Sequence, residues 1–456
     1  MYKPIISRLK SDRNSTQGLN NEWTNRVLVV LIIISTSFLL YQYREGGVKD
    51  AGLTNTSIRD VGGYITTGLK ILEKVNPYIP DGTVWGGARW GTFGTIPVAM
   101  ISELIPRNLQ VVFFQVVGLL GLYLFIRTIF RNISIQKINL IFLLLIWTSS
   151  YREMLTTNQI IGMVLGLIAI GINTLFLERD KKVPVFQQIL GTLCFVMALD
   201  LKPHISGLLI VGLYIYFRGG TDFLKLVGAY LITHAVVDIH LGKVVELDWL
   251  NILSGLNDRA NRNELGDSVT FWPLIRRIID IEGSFGLVTK ATLVVLVVLT
   301  FIVAYKRNWQ AFIFLSFFVP SFTIYFHYYD AVPFLSLVIW AILSQPKSIF
   351  SFVVLDMLLI SKESSSVRNI SFVIVISFAL AIFSTTRNSD RIRNLFFALI
   401  GFFIWQIIQM INSRSNSDQY ELQSLVVTQA LVLSGLLFVQ SLARSPKLND
   451  FVRIKT

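Results

Sequence analysis

A single cysteine, Cys194, sits inside an apolar block, so one chain has no means of building a disulfide framework and packing is the reading for that thiol. A cleavable signal peptide is also missing: Val27–Tyr43 is too long for a typical h-region, no small-x-small site follows it, and it reads as an uncleaved first span. There is no internal repeat and no low-complexity linker, which argues against a solenoid and leaves one bundle as the simplest organisation. Histidine is scarce, with four in 456 residues.

What the chain has instead is apolar sequence gathered in blocks. Hydrophobic residues make 53% of it, and Val27–Tyr43, Phe372–Phe383 and Leu425–Val439 run without a charge. A spanning helix needs about 17–25 mostly apolar residues. Candidate spans fall near 27–43, 109–129, 138–151, 157–177, 186–200, 204–217, 223–240, 285–305, 309–326, 331–344, 348–361, 370–386, 395–411 and 423–443. Several are short, and neighbours can be half-helices, so the expectation is an all-α polytopic membrane protein of about 11–14 spans. The net charge of +13 does not call for nucleic acid, because cytoplasmic loops and anionic headgroups account for a basic balance in such a chain.

Basic residues set the direction. Lys3, Arg8, Lys10, Arg13 and Arg26 precede the first span. With the N-terminus inside, the short inner loops carry Arg127, Arg131, Lys137, Arg179, Lys181, Lys182, Arg218, Lys306, Arg307, Lys347, Arg387, Arg391 and Arg393, and the short outer ones only Arg152, Lys202, Lys362, Arg368 and Arg414. That imbalance has the sense of the positive-inside rule, and it puts both termini in the cytoplasm of a plasma-membrane protein. The expected division is 1–26 as a cytoplasmic segment, 27–345 as the functional transmembrane module, 346–443 as scaffold helices and 444–456 as a cytoplasmic tail. Two long connections, about 44–108 and 241–284, fall outside, and Thr95–Ile105 reads as a helix at the outer interface.

Ionisable groups near membrane depth default to functional hypotheses. Asp60 follows the first span; Arg152 and Glu153, then Asp200, Lys202 and His204, then Asp238 and His240, then His327 and Asp330 fall at successive outer turns, with His234 one to two helical turns below. Together they point to an outward-facing polar site under the long loops. Each residue also has a plain alternative. Asp60 can be a helix N-cap, Lys202 and Arg152 can snorkel to headgroups, and His327 can hydrogen-bond within a helix junction. His234, Asp238 and His240 can be a structural pair or, by near-helical spacing, metal ligands.

The order of short motifs resembles the polyprenyl-phosphate-dependent glycosyltransferases of the GT-C superfamily, and within it glycosyltransferase family 87, which includes mycobacterial polyprenyl-phosphomannose-dependent mannosyltransferases. The matching text is Arg59-Asp60-Val61-Gly62-Gly63-Tyr64, then Asn76-Pro77-Tyr78, then an aromatic segment from Trp85 to Pro106. Tyr151-Arg152-Glu153 to Asn158-Gln159 is similar to an "R…GQ-x-N" stretch, with Asn158 standing where the family has Gly; Leu199 to His204 resembles its "lKP" turn, and Phe326 to Asp330 its late outer turn. The likeness covers about 27–345 and leaves the C-terminal third untouched.

The resemblance implies a GT-C-like bundle with juxtamembrane helices in the first outer loop, and inverting transfer of a sugar, mannose favoured, from a polyprenyl-phosphate donor to a lipid or glycan acceptor. Asp60 would be the base that takes the acceptor's proton. Lys202 and Arg152 would face the phosphate that leaves, with His204 adding a donor. His327 would touch donor sugar or phosphate, Gln159 would help bind the donor, and Tyr64 with Trp85 and Trp90 would offer faces to a sugar ring. No cofactor is required, and a divalent metal stays an option through His234, Asp238 and His240. Rival readings are a transporter or flippase of lipid-linked sugar, which would carry inverted repeats and broken helices, and an O-antigen-type polymerase or ligase.

Overall fold

The computed structural model describes residues 17–43, 59–78, 91–177, 184–245, 247–248, 285–322 and 327–344. The late candidate spans from 348 onwards, the C-terminal tail, Trp85, Trp90 and most of the second long connection lie outside them. The described residues are helical throughout, with no sheet among them. The helices are α1 (Gln17–Tyr43), α2 (Arg59–Leu72), α3 (Thr92–Glu103), α4 (Arg107–Ile129), α5 (Ile135–Ile146), α6 (Ser149–Thr156), α7 (Ile161–Ile172), α8 (Val185–Leu201), α9 (Pro203–Tyr216), α10 (Gly220–Leu241), α11 (Phe285–Tyr305), α12 (Trp309–Phe318) and α13 (Val332–Ser344).

Three of these are long and apolar enough to cross a membrane: Glu22–Tyr43 within α1, α4 and α10. At 1.5 Å per residue, the 22 residues of α10 reach about 33 Å, close to the ~30 Å hydrocarbon core. Their outward faces agree with that use. Leu231, Ile232, Val236 and Ile239 on α10 are exposed, as are Val30, Ile33 and Ile34 on α1 and Val294, Val295 and Val298 on α11. Apolar faces this extended are disfavoured against water and suit lipid.

Inside, one continuous apolar core joins α1 to α13 through Leu145, Ile161, Leu165, Leu209, Phe312 and Val338. Its tightest crossing is α4 against α7, where Gly118 and Gly121 face Gly162 and Gly166. A Cβ on Gly162 would collide with the Gly118 carbonyl, and one on Gly166 would lie 2.7 Å from the Gly121 Cα. The two backbones therefore touch, as small residues permit between membrane helices.

Two expected spans, 138–151 and 157–177, are laid out differently. α5 stops at Ile146, and Thr148 starts a new helix by accepting the Tyr151 amide at 3.3 Å. α6 then meets Ile161–Leu177 at 109°, a broken span or a re-entrant turn. The break sits at Asn158, whose φ is +50°. After Gly, Asn is among the residues that best tolerate this left-handed conformation.

Candidate functional site

Within the first long connection, α2 is amphipathic. Val61, Tyr64, Ile65 and Ile71 turn inward. Asp60 occupies its first turn, where a carboxylate suits the helix dipole. Its backbone N–H donates to the Thr157 carbonyl at 3.3 Å, and its Oδ2 accepts from Gln159 Nε2. The carboxyl thus binds the α6–α7 turn, 99 residues further on, beyond any service to its own helix. Asp60 is half-buried, whereas Gln159 and Asn158 are buried.

A second carboxylate organises the neighbouring turns. Asp330 lies in a short 3-10 turn, Tyr328–Ala331, and is buried. Its Oδ1 stands 3.5 Å from Lys202 Nζ, and its Oδ2 is 3.3 Å from His204 Nε2 and accepts the His327 backbone N–H at 2.9 Å. An ionised carboxylate only accepts, so His204 Nε2 carries the proton in that contact. Burial by itself pushes the Asp330 carboxyl up; Lys202, His204 and His327 outweigh it and hold the group well below the usual carboxylate range. Lys202 Nζ also stands 5.2 Å from the centre of the Tyr329 ring, and His327 stacks on the same ring at 5.0 Å.

Arg152 is on α6, which packs on this 3-10 turn. It is 1% exposed, and its NH1 donates to the Trp147 carbonyl at 2.9 Å. Neither it nor Lys202, at 4% exposed, snorkels to a headgroup. Both positive groups are held inside, where a low dielectric strengthens their pull on a negative charge.

The third constellation is Asp200 with His234. Asp200 Oδ1 is 2.9 Å from His234 Nε2, its Oδ2 accepts from the Gly94 N–H at 2.6 Å, and its backbone carbonyl accepts from the Gly91 N–H at 3.0 Å. His234 Nδ1 lies 2.8 Å from the Tyr230 carbonyl. That carbonyl only accepts, so Nδ1 bears the proton in that contact. A Cβ at Gly91 would overlap the Asp200 carboxyl. Gly is the residue that lets the entry of α3 dock there.

Among the described residues, then, six separated segments meet. Residues 59–60 touch 157–159, α6 touches 328–331, that turn touches 202–204, and residue 200 holds 91–94 and 234. Asn76 Nδ2 donates to Asp248 Oδ2 at 2.8 Å, so the two long connections also join.

Three expectations need correction. Tyr64 is fully enclosed by its neighbours and presents no open face to a sugar ring, because it lies on the inward stripe of α2. His234, Asp238 and His240 do not converge: His234 turns to Asp200 and Asp238 Oδ1 caps the end of α10 by accepting the Val245 N–H at 3.0 Å. Lys202 is already neutralised in part by Asp330, a hub that sequence reading placed in the outer turn without a role. The signal for it was a carboxylate three residues after His327, closing the aromatic run Tyr328-Tyr329-Asp330.

No protein-family model, curated protein or solved structure matches the chain.

Proposed function

We propose that the protein is a membrane-embedded glycosyltransferase of GT-C type, working from a polyprenyl-phosphate sugar. The acceptor hydroxyl attacks C1 of the donor sugar while its proton passes to Asp60. The C1–O bond to the lipid phosphate breaks, and the phosphate departs with the electron pair. A carboxylate base contributes about 10²–10⁴-fold in such steps. The leaving phosphate gains negative charge, which Arg152, Lys202 and His204 would offset, with His327 beside them. In this reading the active face is outward, both termini are cytoplasmic, and further spans beyond residue 344 complete a polytopic bundle.

The observation that carries the reading is the meeting of Asp60 with Gln159 at the end of α6 and of Lys202, His204 and His327 around Asp330 in the turn that packs on α6. A half-buried carboxylate and buried cations, supplied by distant parts of the chain, suit a reaction that takes a proton at one end and releases an anion at the other. The test is sugar transfer by purified protein in nanodiscs, with polyprenyl-phosphate mannose, glucose and arabinose as donors and a cell lipid extract as acceptor. Wild type should transfer one of them, and Asp60→Asn should lose at least about 10²-fold while folded. Equal activity in Asp60→Asn sinks the base assignment.

One feature favours a carrier instead. The 109° break between α6 and α7 resembles the interrupted helices of transporters. Labelled lipid-linked sugar crossing a proteoliposome bilayer, with no donor consumed, would replace the transferase reading.

A further inference from the structure

Buried polar atoms in folded proteins almost always have partners, and an exception asks for a water, an ion or a ligand. Among the described residues, several such atoms without a hydrogen-bond partner gather at one turn. They are Asn158 Nδ2 and Oδ1 and Gln159 Oε1. Asn158 is 1% exposed and Gln159 6%. The turn is also the one that holds Asp60: Thr157 accepts its backbone N–H, and Gln159 spends Nε2 on its carboxylate while Oε1 stays unused.

The chemistry of the unused atoms narrows the ligand. Asn158 offers a donor and an acceptor, and Gln159 adds an acceptor. None of the unused atoms is charged. A phosphate calls for cations, which lie in the Asp330 cluster, and a carboxylate calls for donors alone. A hydroxyl both donates and accepts, so vicinal hydroxyls match a mixed set of amide N–H and C=O groups. We infer that Asn158 and Gln159 Oε1 form a neutral hydroxyl-recognition subsite beside Asp60, and that it takes the ring of a polyol acceptor, a sugar or a cyclitol, whose attacking hydroxyl faces the base. This rests on the transferase reading for the word acceptor; the polyol site itself does not.

The left-handed backbone at Asn158 supplies a clean test. Asn158→Gly keeps the φ of +50° accessible and removes only the amide. In the transfer assay, its KM for acceptor should rise about 10-fold or more with the donor KM unchanged. An unchanged acceptor KM, with wild type active, overturns the subsite and leaves the transferase reading standing.

A second measurement does not depend on transfer. Saturation-transfer NMR with methyl glucoside, mannoside and galactoside on the nanodisc-embedded protein should show ring-proton contact in wild type that Asn158→Gly loses. Contact equal in both proteins, or none in wild type, overturns the inference; the second result means that ordered water alone fills the turn. If no donor is consumed but the glycoside signal depends on Asn158, the transferase reading fails and the polyol site survives.

Discussion

Asp60 and Asp330 are both carboxylates in the first turns of helical segments, and their surroundings differ in every respect that matters. Asp60 is half-buried and has a neutral amide, Gln159, on one oxygen. Asp330 is enclosed and meets a lysine, a histidine and a backbone N–H. The first is the base of the proposed reaction. The second is held ionised by the cations it gathers, and that makes it an anchor that fixes where they stand. On the proposed reading the two acids divide reactivity from placement, and their environments set the roles.

The comparison can be broken by experiment. Asp330→Ala should do most to stability, because removing one partner of a buried pair leaves Lys202 uncompensated, at a cost of about 3–5 kcal/mol. Replacing both, Lys202→Met with Asp330→Leu, should restore much of that in thermal unfolding yet leave transfer weak. Asp60→Asn should show the converse: thermal stability within about 1 kcal/mol of wild type, with transfer down at least about 10²-fold. If Asp60→Asn is as destabilising as Asp330→Ala, the division of roles is wrong.

Acid should sharpen the contrast further. Because the Asp330 carboxyl is depressed in the folded protein, its stabilising contribution is complete above the unfolded carboxylate value of about 3.9 and is lost as pH falls from there toward the folded value. The melting temperature of wild type should therefore fall between about pH 5 and pH 3, and that limb should be shallower in Asp330→Asn. The smallest effect concerns the turn under Asp60. Asn158→Ala should be less stable than Asn158→Gly by about 1–2 kcal/mol, since only a residue with a Cβ pays for a left-handed φ. Equal melting temperatures would remove the backbone argument for Asn at that position.

Much of this was legible in the residues, and the remainder was hidden for identifiable reasons. Blocks of apolar sequence located α4, α8, α9 and α10 to within a few residues, because each block is bounded by charge or Pro. The division of 138–177 into α5, α6 and α7 escaped, since the polar stretch from Thr148 to Gln159 reads as a loop between two spans as readily as a short helix. A Thr at 148 opening a Ser-rich turn was an N-cap signal that a window average erases. The turns at 152–159, 200–204 and 327–330 meet through α6 and Asp330, but pairing within them was not legible: Asp200 with His234 and Asp330 with Lys202 join residues 34 and 128 positions apart, and no period encodes such distances. Burial was the least legible property. Tyr64 looked available beside Asp60, and only the packing of α2 shows that it points inward.

The crossing of α4 and α7 sets how freely this chain can drift. On the exposed face of α10, Ile239 can exchange with Leu, Val or Phe with little consequence for the described packing, so that surface has wide latitude for apolar change. Gly162 has none, for a single added carbon strikes the Gly118 backbone. A deep scan of substitutions should therefore find its sharpest intolerance at two apolar-looking stretches that hold no chemistry, and the geometry of the α6–α7 turn, with Asp60 on it, depends on those silent positions staying empty.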